Sequence, residues 1–178
     1  SNLTTKSYLP KAIIDKKARD DGFFIFAHHS LTNLRTLMPS SASHHTNKFI
    51  HGLYVITDTK LMNEENIIAK VSQALKGGAK IVQYRDKVNS KQTKLKLATQ
   101  LQQLCKSHQA WFIVNNDIHL AKEVNADGVH IGKDDDDIYK ARQLLGDNAI
   151  IGVSCYNDLN RALQMQDLGA NYVAFGRF

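Results

Sequence analysis

The feature that most constrains this chain is a regular alternation, from residue 51 onward, of short apolar runs with longer segments of helical character. The runs are rich in β-branched residues and apolar on both faces, as in strands that helices cover on one side and a packed interior fills on the other. Strict strand–helix alternation predicts parallel strands joined by crossover helices, and therefore an α/β domain over residues 51–178. The predicted strands are 53–57, 80–84, 111–114, 128–131, 149–153 and 172–175, and the predicted helices are 63–76, 90–108, 118–124, 136–145 and 159–168.

An internal repeat indicates how the sheet is arranged. Residues 78–83, 125–130 and 169–174 each combine a helix end, a turn of small residues and a strand. Gly or Asn in the turn suits a helix C-cap. A repeated βα unit favours a TIM (β/α)₈ barrel over an open, doubly wound sheet. About six of the eight units are present, and since six strands cannot close such a barrel, we expect both edges of the sheet to stay unpaired.

Residues 1–50 lack this pattern, and we leave them unassigned, as an N-terminal extension or the tail of a preceding segment. A short basic helix over 11–20 and a short strand over 23–27 are expected. Two pairs of histidines, at 28–29 and 44–45, have no carboxylate or thiol nearby. They match no ligand spacing, so surface histidines are favoured over a metal site.

Charge and composition limit the classes of partner. The net charge is +6, but residues 1–50 hold seven Lys or Arg against three acids, and no nucleic-acid-binding motif accompanies this excess. The longest apolar runs are too short to cross a bilayer, and the first residues do not show the pattern of a secretion signal, so secretion is not expected. Two cysteines 50 positions apart, without a CxxC pattern, are expected to be reduced thiols. We therefore expect a cytoplasmic protein that acts on small molecules, without nucleic-acid or membrane partners.

The carboxyl ends of the strands are where a βα barrel carries its active site. The second strand ends in Gln83-Tyr84-Arg85-Asp86-Lys87. Arg85 and Lys87 are two residues apart, so an extended chain places both cations on the same side. A planar guanidinium and a mobile ammonium together suit a pyrophosphate, with a solvated basic turn as an equal alternative.

Polar residues also follow the next strands. Asn115-Asn116-Asp117 follows the third strand and either contributes to a site or starts a helix as an N-cap. Residues 132–137 follow the fourth strand, and their four adjacent carboxylates either stabilise a helix N-terminus or bind Mg²⁺. At the end of the fifth strand, Gly152 is expected to leave room for a ligand beside the Ser154 hydroxyl. Together these residues predict a site for a magnesium-bound substrate that carries phosphate.

Six segments, from about Gly52 to the last residue, resemble the successive strand motifs of the thiamine-phosphate synthase (thiamine-phosphate pyrophosphorylase) family. In order, they are LYVITD, VQYRDK, FIVNND, ADGVHIG, IGVS and GANYVAFG. The resemblance implies a TIM-barrel transferase of thiamine biosynthesis. Such an enzyme joins 4-amino-2-methyl-5-hydroxymethylpyrimidine pyrophosphate to thiazole phosphate, and it forms thiamine phosphate and pyrophosphate through a dissociative displacement.

The resemblance implies that one segment holds the pyrimidine pyrophosphate, namely Gln83, Tyr84, Arg85, Asp86 and Lys87. Arg85 and Lys87 would contact its phosphates and, with Ser154, are the implied catalytic residues. Asn115 and Ser154 would contact the same substrate.

Two positions are implied for Mg²⁺, the expected cofactor: Asn116 and Asp135, with Asp117 and Asp134 as substitutes. The family usually carries Asp at the first position. An amide oxygen brings no charge, so magnesium affinity is expected to fall unless neighbouring acids compensate. Lys133 replaces the family's usual Gln and adds a cation near the second position.

The chain ends at Phe178, where the family continues into a loop with threonine and lysine and two further strands. In the family those parts would hold the thiazole phosphate. We therefore expect part of a longer protein, a deliberate fragment, or a chain that completes its sheet as a homo-oligomer. For residues 1–178 alone, little or no synthase activity is expected.

Two alternative functions stay open. A thiazole tautomerase shares the fold but needs no pyrophosphate and magnesium site. Four residues favour the synthase, namely Arg85, Lys87, Asn115 and Asp135. Asn116, which stands where the family usually carries Asp, reduces the preference for the synthase over the tautomerase. A non-catalytic phosphate-ligand sensor or scaffold would bind the pyrimidine pyrophosphate without turning it over.

Overall fold

The computed structural model describes residues 24–26, 50–132 and 138–176 of the chain. In these ranges the strands and helices predicted from residue 51 onward are present, within a few residues of their expected bounds. No helix of the described residues is both long and apolar enough to span a bilayer. The strands are β1 (Phe24–Phe26), β2 (Leu53–Ile56), β3 (Ala79–Tyr84), β4 (Trp111–Asn115), β5 (Gly128–Ile131), β6 (Ile150–Tyr156) and β7 (Tyr172–Phe175). The helices are α1 (Ile67–Lys76), α2 (Lys91–Ser107), α3 (Ile118–Glu123), α4 (Ile138–Leu145) and α5 (Leu159–Asp167).

One sheet holds these strands in sequence order, from β1 to β7. Strands β2 to β7 are parallel, and each is joined to the next by one helix. In a doubly wound sheet the strand order reverses at a switch point, whereas the order here is sequential, as in a barrel. This part of the predicted fold is therefore confirmed: six parallel strands form a half-barrel.

Strand β1 is the exception to the parallel pattern. It pairs antiparallel with β2, with Phe24 opposite Ile56 and Phe26 opposite Tyr54. The expectation that both edges of the sheet stay unpaired is therefore wrong at β2. A bare strand edge leaves backbone N–H and C=O groups without partners, and the predicted N-terminal strand satisfies them here. The basic helix predicted over 11–20 and the two histidine pairs lie outside the described residues.

The two faces of the sheet bury different sets of side chains. On the outer face, helices cover a large core; α1 contributes Ile67, Val71 and Leu75, which lie one turn apart along the same side of the helix. Each buried aliphatic side chain stabilises the fold by about 1.5–3 kcal/mol, so this face holds the helices on the sheet. The inner face carries a smaller core of Ile50, Tyr54, Ile81, Ile113, Ile150 and Tyr172.

The predicted repeat is present at the turns between helices and strands. Gly78, Asn125 and Gly169 have positive φ angles of 99°, 52° and 90°. This left-handed backbone suits Gly and is tolerated by Asn. Asp127 and Asn171 lie two residues after Asn125 and Gly169. Their side chains accept 2.8 Å hydrogen bonds from the backbone N–H groups of the second residues of β4 and β6, Phe112 and Ile151 respectively. The repeat therefore fixes the amino ends of neighbouring strands to one another.

Candidate active site at the carboxyl ends of the strands

An open cleft of about 330 Å³ lies at the carboxyl ends of β3 and β4. It brings together five of the predicted site residues, Asp86, Lys87, Asn115, Asn116 and Asp117. Lys94 on α2 and His119 on α3 also line it, and neither was predicted, because each occupies an ordinary polar position of a helix. The lining residues are Asp86, Lys87, Lys94, Asn115, Asn116, Asp117, Ile118 and His119.

Thr57 attaches the segment that carries Arg85 and Lys87 to the neighbouring strand. The Arg85 N–H donates to Thr57 Oγ1 over 2.9 Å, and that hydroxyl donates to the Arg85 carbonyl oxygen at 3.4 Å. The Thr57 N–H donates to the Gln83 carbonyl oxygen over 2.9 Å. Because Thr57 is completely buried, these bonds satisfy groups that water does not reach. They set the direction in which the chain leaves β3, with Arg85 half-buried and Lys87 exposed.

Tyr84 and Asp86, both predicted to contact substrate, have structural partners. The Tyr84 ring packs in the helix-covered core, stacked on Phe112 with ring centroids 6.4 Å apart, and its hydroxyl donates to Asp86 Oδ2 over 2.7 Å. Asp86 also accepts hydrogen bonds from the N–H groups of Val88 and Asn89 and from the Asn89 side chain. Burial alone would raise the pKa of Asp86, but these hydrogen bonds outweigh it and hold the pKa below its ordinary value. Asp86 therefore organises the loop as an anion, and the substrate contacts of both residues stay predictions.

Asn116 combines two unusual features at the end of β4. Its φ angle of 64° is left-handed, a conformation that Asn adopts more readily than most residues. Its Oδ1 atom is buried and has no hydrogen-bond partner among the described residues. An acceptor buried in this way costs about 1–3 kcal/mol, which a bound ligand or ion would recover. Because Mg²⁺ binds oxygen ligands, the chemistry of this atom fits the first predicted metal position.

The other residues predicted to bind metal divide into two groups. Asp117 Oδ1 accepts a 2.8 Å hydrogen bond from the Leu120 N–H and caps α3, so the N-cap alternative is confirmed for this residue. Asp134 and Asp135, with the neighbouring Lys133, lie outside the described residues. Within the described ranges, no group of three or more His, Cys, Asp or Glu side chains is arranged to hold a metal ion. The magnesium site stays a prediction, supported by one buried amide oxygen.

A chain of buried and half-buried polar side chains crosses the inner face of the half-barrel. Gln83 Nε2 donates to Tyr54 Oη over 2.8 Å, and Tyr54 Oη lies 2.7 Å from Tyr172 Oη. Tyr172 Oη lies 3.0 Å from His130 Nδ1, and His130 Nε2 lies 2.8 Å from Ser154 Oγ. This polar chain links two residues predicted to bind substrate, Gln83 and Ser154, through side chains of five different strands.

Tyr54, His130 and Tyr172 were not predicted as site residues. The sequence does carry a signal for them, since each interrupts an apolar strand with a side chain that needs a hydrogen-bond partner when it is buried. It carries no signal for which partner each side chain finds.

Burial keeps the polar chain uncharged. It lowers the pKa of His130 to about 4, so the imidazole is neutral at neutral pH. It raises the pKa of Tyr54 to about 12, although hydrogen bonds with Tyr172 and Gln83 act in the opposite direction. Burial also raises the pKa of Tyr172 well above its ordinary value. The polar chain therefore consists of hydrogen bonds between neutral groups, in which the orientation of each donor depends on its neighbour.

The expectation that Gly152 leaves room for a ligand is wrong. A Cβ atom at this position would overlap Cζ, Cε1 and Oη of Tyr172, so the tyrosine ring already fills the space. The physical reason is the register, which places Tyr172 of β7 directly opposite Gly152 of β6. Ser154 lies two residues further along β6, on the same face, and is half-buried. Its carbonyl oxygen accepts a 3.1 Å hydrogen bond from Arg161 Nε.

Comparison with known proteins identifies relatives of this half-barrel. A family model described as thiamine monophosphate synthase matches residues 53–178. The thiamine-phosphate synthase of Nitrosococcus oceani is 50% identical over 128 residues, which cover 72% of this chain and 59% of that protein. The protein of the same name from Alcanivorax borkumensis is 50% identical over 129 residues, covering 72% and 59%.

Among solved structures, the thiamine phosphate pyrophosphorylase from Pyrococcus furiosus has a similar fold. Its TM-score is 0.64 and its identity 35%, over 70% of this chain and 59% of that one. The chain therefore spans less than two thirds of the length of the relatives that it matches.

Proposed function

Because the chain belongs to the thiamine monophosphate synthase family, we propose that it joins a pyrimidine pyrophosphate to a thiazole phosphate, forming thiamine phosphate and releasing pyrophosphate. The half-barrel would then be part of a closed (β/α)₈ barrel. The observation that carries the proposal is the cleft at the carboxyl ends of parallel strands, in which Lys87, Asn115 and Asn116 meet. Arg85 lies two positions before Lys87 in the same segment. We also propose a cytoplasmic location, with small-molecule substrates as the partners. Formation of a homo-oligomer stays a prediction, which sedimentation measurements would test.

The proposed reaction needs stabilisation of a leaving group more than acid–base chemistry. The bond between the pyrimidine methylene carbon and the pyrophosphate oxygen breaks first, and its electron pair leaves with pyrophosphate. The methylene cation then accepts the lone pair of the thiazole nitrogen, which forms the new C–N bond. Preorganised cations and hydrogen-bond donors stabilise the charge that develops on the departing oxygens. Fixed positions for the two reactants reduce the entropic cost of the second step.

Arg85 and Lys87 are the cations that we assign to the pyrophosphate. Arginine offers a planar fork to two oxygens, and lysine offers a mobile point charge. The hydrogen bonds between Thr57 and the Arg85 backbone reduce the reorganisation needed when charge develops. Asn115 and the Ser154 hydroxyl would supply neutral hydrogen bonds to the same substrate.

Mg²⁺ is the cofactor that we assign to this site, held by Asn116 and Asp135, with Asp117 and Asp134 as substitutes. The buried Asn116 Oδ1, which has no partner among the described residues, supports this assignment. When bound, the ion would neutralise charge on the pyrophosphate oxygens.

The charge of the first metal position can be tested by one isosteric substitution. Asn116→Asp adds a charge without changing shape, and Asp tolerates the left-handed backbone, so the Mg²⁺ concentration needed for pyrophosphate binding should fall about tenfold. Asn171→Asp is the matched control, because it makes the same change just before β7, at the amino ends of the strands, and keeps an acceptor for the Ile151 N–H. It should leave the required Mg²⁺ concentration unchanged. A fall in Mg²⁺ affinity in Asn116→Asp would contradict the assignment.

Calorimetric binding of the pyrimidine pyrophosphate with Mg²⁺ tests the roles of the two cations. Arg85→Ala and Lys87→Ala should each weaken binding about 10- to 100-fold, because a hydrogen bond to a charged group contributes about 1.5–3 kcal/mol. Lys76→Ala is the control, since it removes one positive charge at the end of α1, near the amino ends of the strands. Equal weakening by all three variants would show that net charge, and not this site, governs binding.

Turnover with both substrates decides among the functions, and it is measured on the protein as its source organism makes it. Formation of thiamine phosphate would support the synthase. Isomerised thiazole without thiamine phosphate would point to the tautomerase. Binding of the pyrimidine pyrophosphate without any product would point to a sensor or scaffold.

A further inference from the structure

The donor at one end of the polar chain, the Gln83 amide, favours one direction of hydrogen bonding along it. An amide nitrogen only donates, so Gln83 Nε2 makes Tyr54 Oη an acceptor. A hydroxyl group that accepts one hydrogen bond becomes a better donor in the next. Tyr54 Oη lies 2.7 Å from Tyr172 Oη, where either hydroxyl can donate, and the Gln83 side chain also hydrogen-bonds Tyr172. Donation from Tyr54 to Tyr172, and from Tyr172 to His130 Nδ1 3.0 Å away, is the arrangement in which each hydroxyl both accepts and donates along the polar chain.

His130 passes this direction on to Ser154. A neutral imidazole carries one N–H, so an Nδ1 atom that accepts from Tyr172 leaves the hydrogen on Nε2. The Nε2–H then donates to Ser154 Oγ, 2.8 Å away. In this arrangement Ser154 Oγ is an acceptor within the polar chain, and its own hydrogen is directed elsewhere. Because Ser154 is half-buried near the carboxyl end of β6, that hydrogen is available at the rim where substrate would bind.

We propose that Tyr54, Tyr172 and His130 are positioning residues that hold Ser154 as a hydrogen-bond donor to an anionic oxygen of the substrate. The inference rests on the proposed function for the identity of that substrate, an ester of pyrophosphate. Aliphatic side chains, such as the isoleucines beside them on the inner face, would pack there without the cost of burying polar groups. The polar chain therefore has a use beyond packing.

The opposite direction would produce the opposite chemistry. Ser154 would donate to His130 Nε2, and His130 Nδ1–H would donate to Tyr172. The serine would then offer only lone pairs to the substrate, and an anionic oxygen would be repelled. The position of a single hydrogen on His130 distinguishes the two arrangements.

The tautomer of His130 tests the inference without any substrate. Long-range proton–nitrogen correlation spectra at neutral pH distinguish an Nε2–H from an Nδ1–H imidazole by the shifts of the two ring nitrogens. The His130→Gln variant identifies the signals of this histidine by their loss. We expect the Nε2–H tautomer, and an Nδ1–H tautomer would overturn the inference.

Two substitutions of His130 separate positioning from packing. Glutamine places an N–H near the position of Nε2, whereas asparagine is too short to reach Ser154. With inorganic pyrophosphate and Mg²⁺ as the probe, His130→Gln should bind within about threefold of the parent, while His130→Asn and Ser154→Ala should each weaken binding about tenfold, the loss of one hydrogen bond to a charged group. Equal losses in the two His130 variants would overturn the inference.

A double-mutant cycle tests whether Tyr172 acts through Ser154. Tyr172→Phe alone should weaken pyrophosphate binding about three- to tenfold, and it should add nothing to Ser154→Ala. Additive losses would assign Tyr172 a separate role and overturn the inference. Failure of the parent to form thiamine phosphate would refute only the proposed function, because the tautomer and pyrophosphate binding are measured without the second substrate.

Discussion

Gly152→Ala adds one methyl group at a position where the structure leaves no room for it. The new Cβ would overlap Cζ, Cε1 and Oη of Tyr172. The Tyr172 ring cannot move away without moving its hydroxyl, which lies 2.7 Å from Tyr54 Oη and 3.0 Å from His130 Nδ1. The substitution therefore both overpacks the inner face and breaks the polar chain at its centre.

The expected loss in the free energy of unfolding has two parts. An extra methyl group in a filled core costs about 1–3 kcal/mol. Displacing the Tyr172 hydroxyl breaks two buried hydrogen bonds, at about 1 kcal/mol each. We therefore expect Gly152→Ala to lower the free energy of unfolding by about 3–5 kcal/mol. That is a large part of the roughly 5–15 kcal/mol that stabilises a folded domain.

Equilibrium urea unfolding measures this loss, with two controls. Gly176→Ala adds the same methyl group where no heavy atom of the described residues, apart from its chain neighbours, lies within 4 Å. It should change the free energy of unfolding by less than about 0.5 kcal/mol. In a Tyr172→Leu background the ring is gone, so Gly152→Ala should cost less than about 1 kcal/mol. An equal cost in both backgrounds would refute the reasoning, because the methyl group would then be destabilising for a cause other than the ring.

Three further predictions concern single side chains. Burial lowers the pKa of His130 to about 4 from its ordinary 6.5, so as pH falls the unfolded chain binds the proton first. Stability should therefore fall by about 2 kcal/mol between about pH 7 and pH 5, and His130→Gln should remove this part of the slope in urea unfolding. Arg142 donates five hydrogen bonds, four to backbone carbonyl oxygens and one to Asn171. Arg142→Lys lacks the planar fork and should cost at least about 2 kcal/mol in the same measurement; a loss below about 0.5 kcal/mol would contradict this. Asp86→Ala should weaken calorimetric pyrophosphate binding by releasing the loop that carries Lys87, and Asp86→Asn, which keeps an acceptor, should weaken it less.

The elements of the half-barrel could be predicted from the sequence because their signals are local. Apolar runs bounded by small residues marked the six parallel strands, and the caps are encoded within one turn of each helix. Ser90 accepts a hydrogen bond from the Thr93 N–H at the start of α2, and Asp117 does the same for α3. The repeat predicted the sequential order of the parallel strands. That order in turn predicted that Lys87 and Asn115 lie at the same edge of the sheet.

The site could be predicted only in part. A motif places a residue at the end of a strand, but it does not say whether the side chain faces the cleft or the core. Tyr84 packs under the helices, whereas Asp86 lines the cleft and is also held by its own loop. Both were predicted as site residues because the resemblance assigns the whole segment from Gln83 to Lys87 to the substrate, and a segment does not separate the roles of its members.

Sequence alone determined which residues form strands and that successive side chains alternate between the two faces of the sheet, because alternation along a strand is a property of neighbouring residues. Only the tertiary structure decided that Tyr54 meets Tyr172, 118 residues away, and that the Tyr172 ring fills the space at Gly152. Such contacts join different strands, so they depend on register, twist and the curvature of the whole sheet. Those quantities are set by the packing of both cores at once, and no single segment of the chain encodes them.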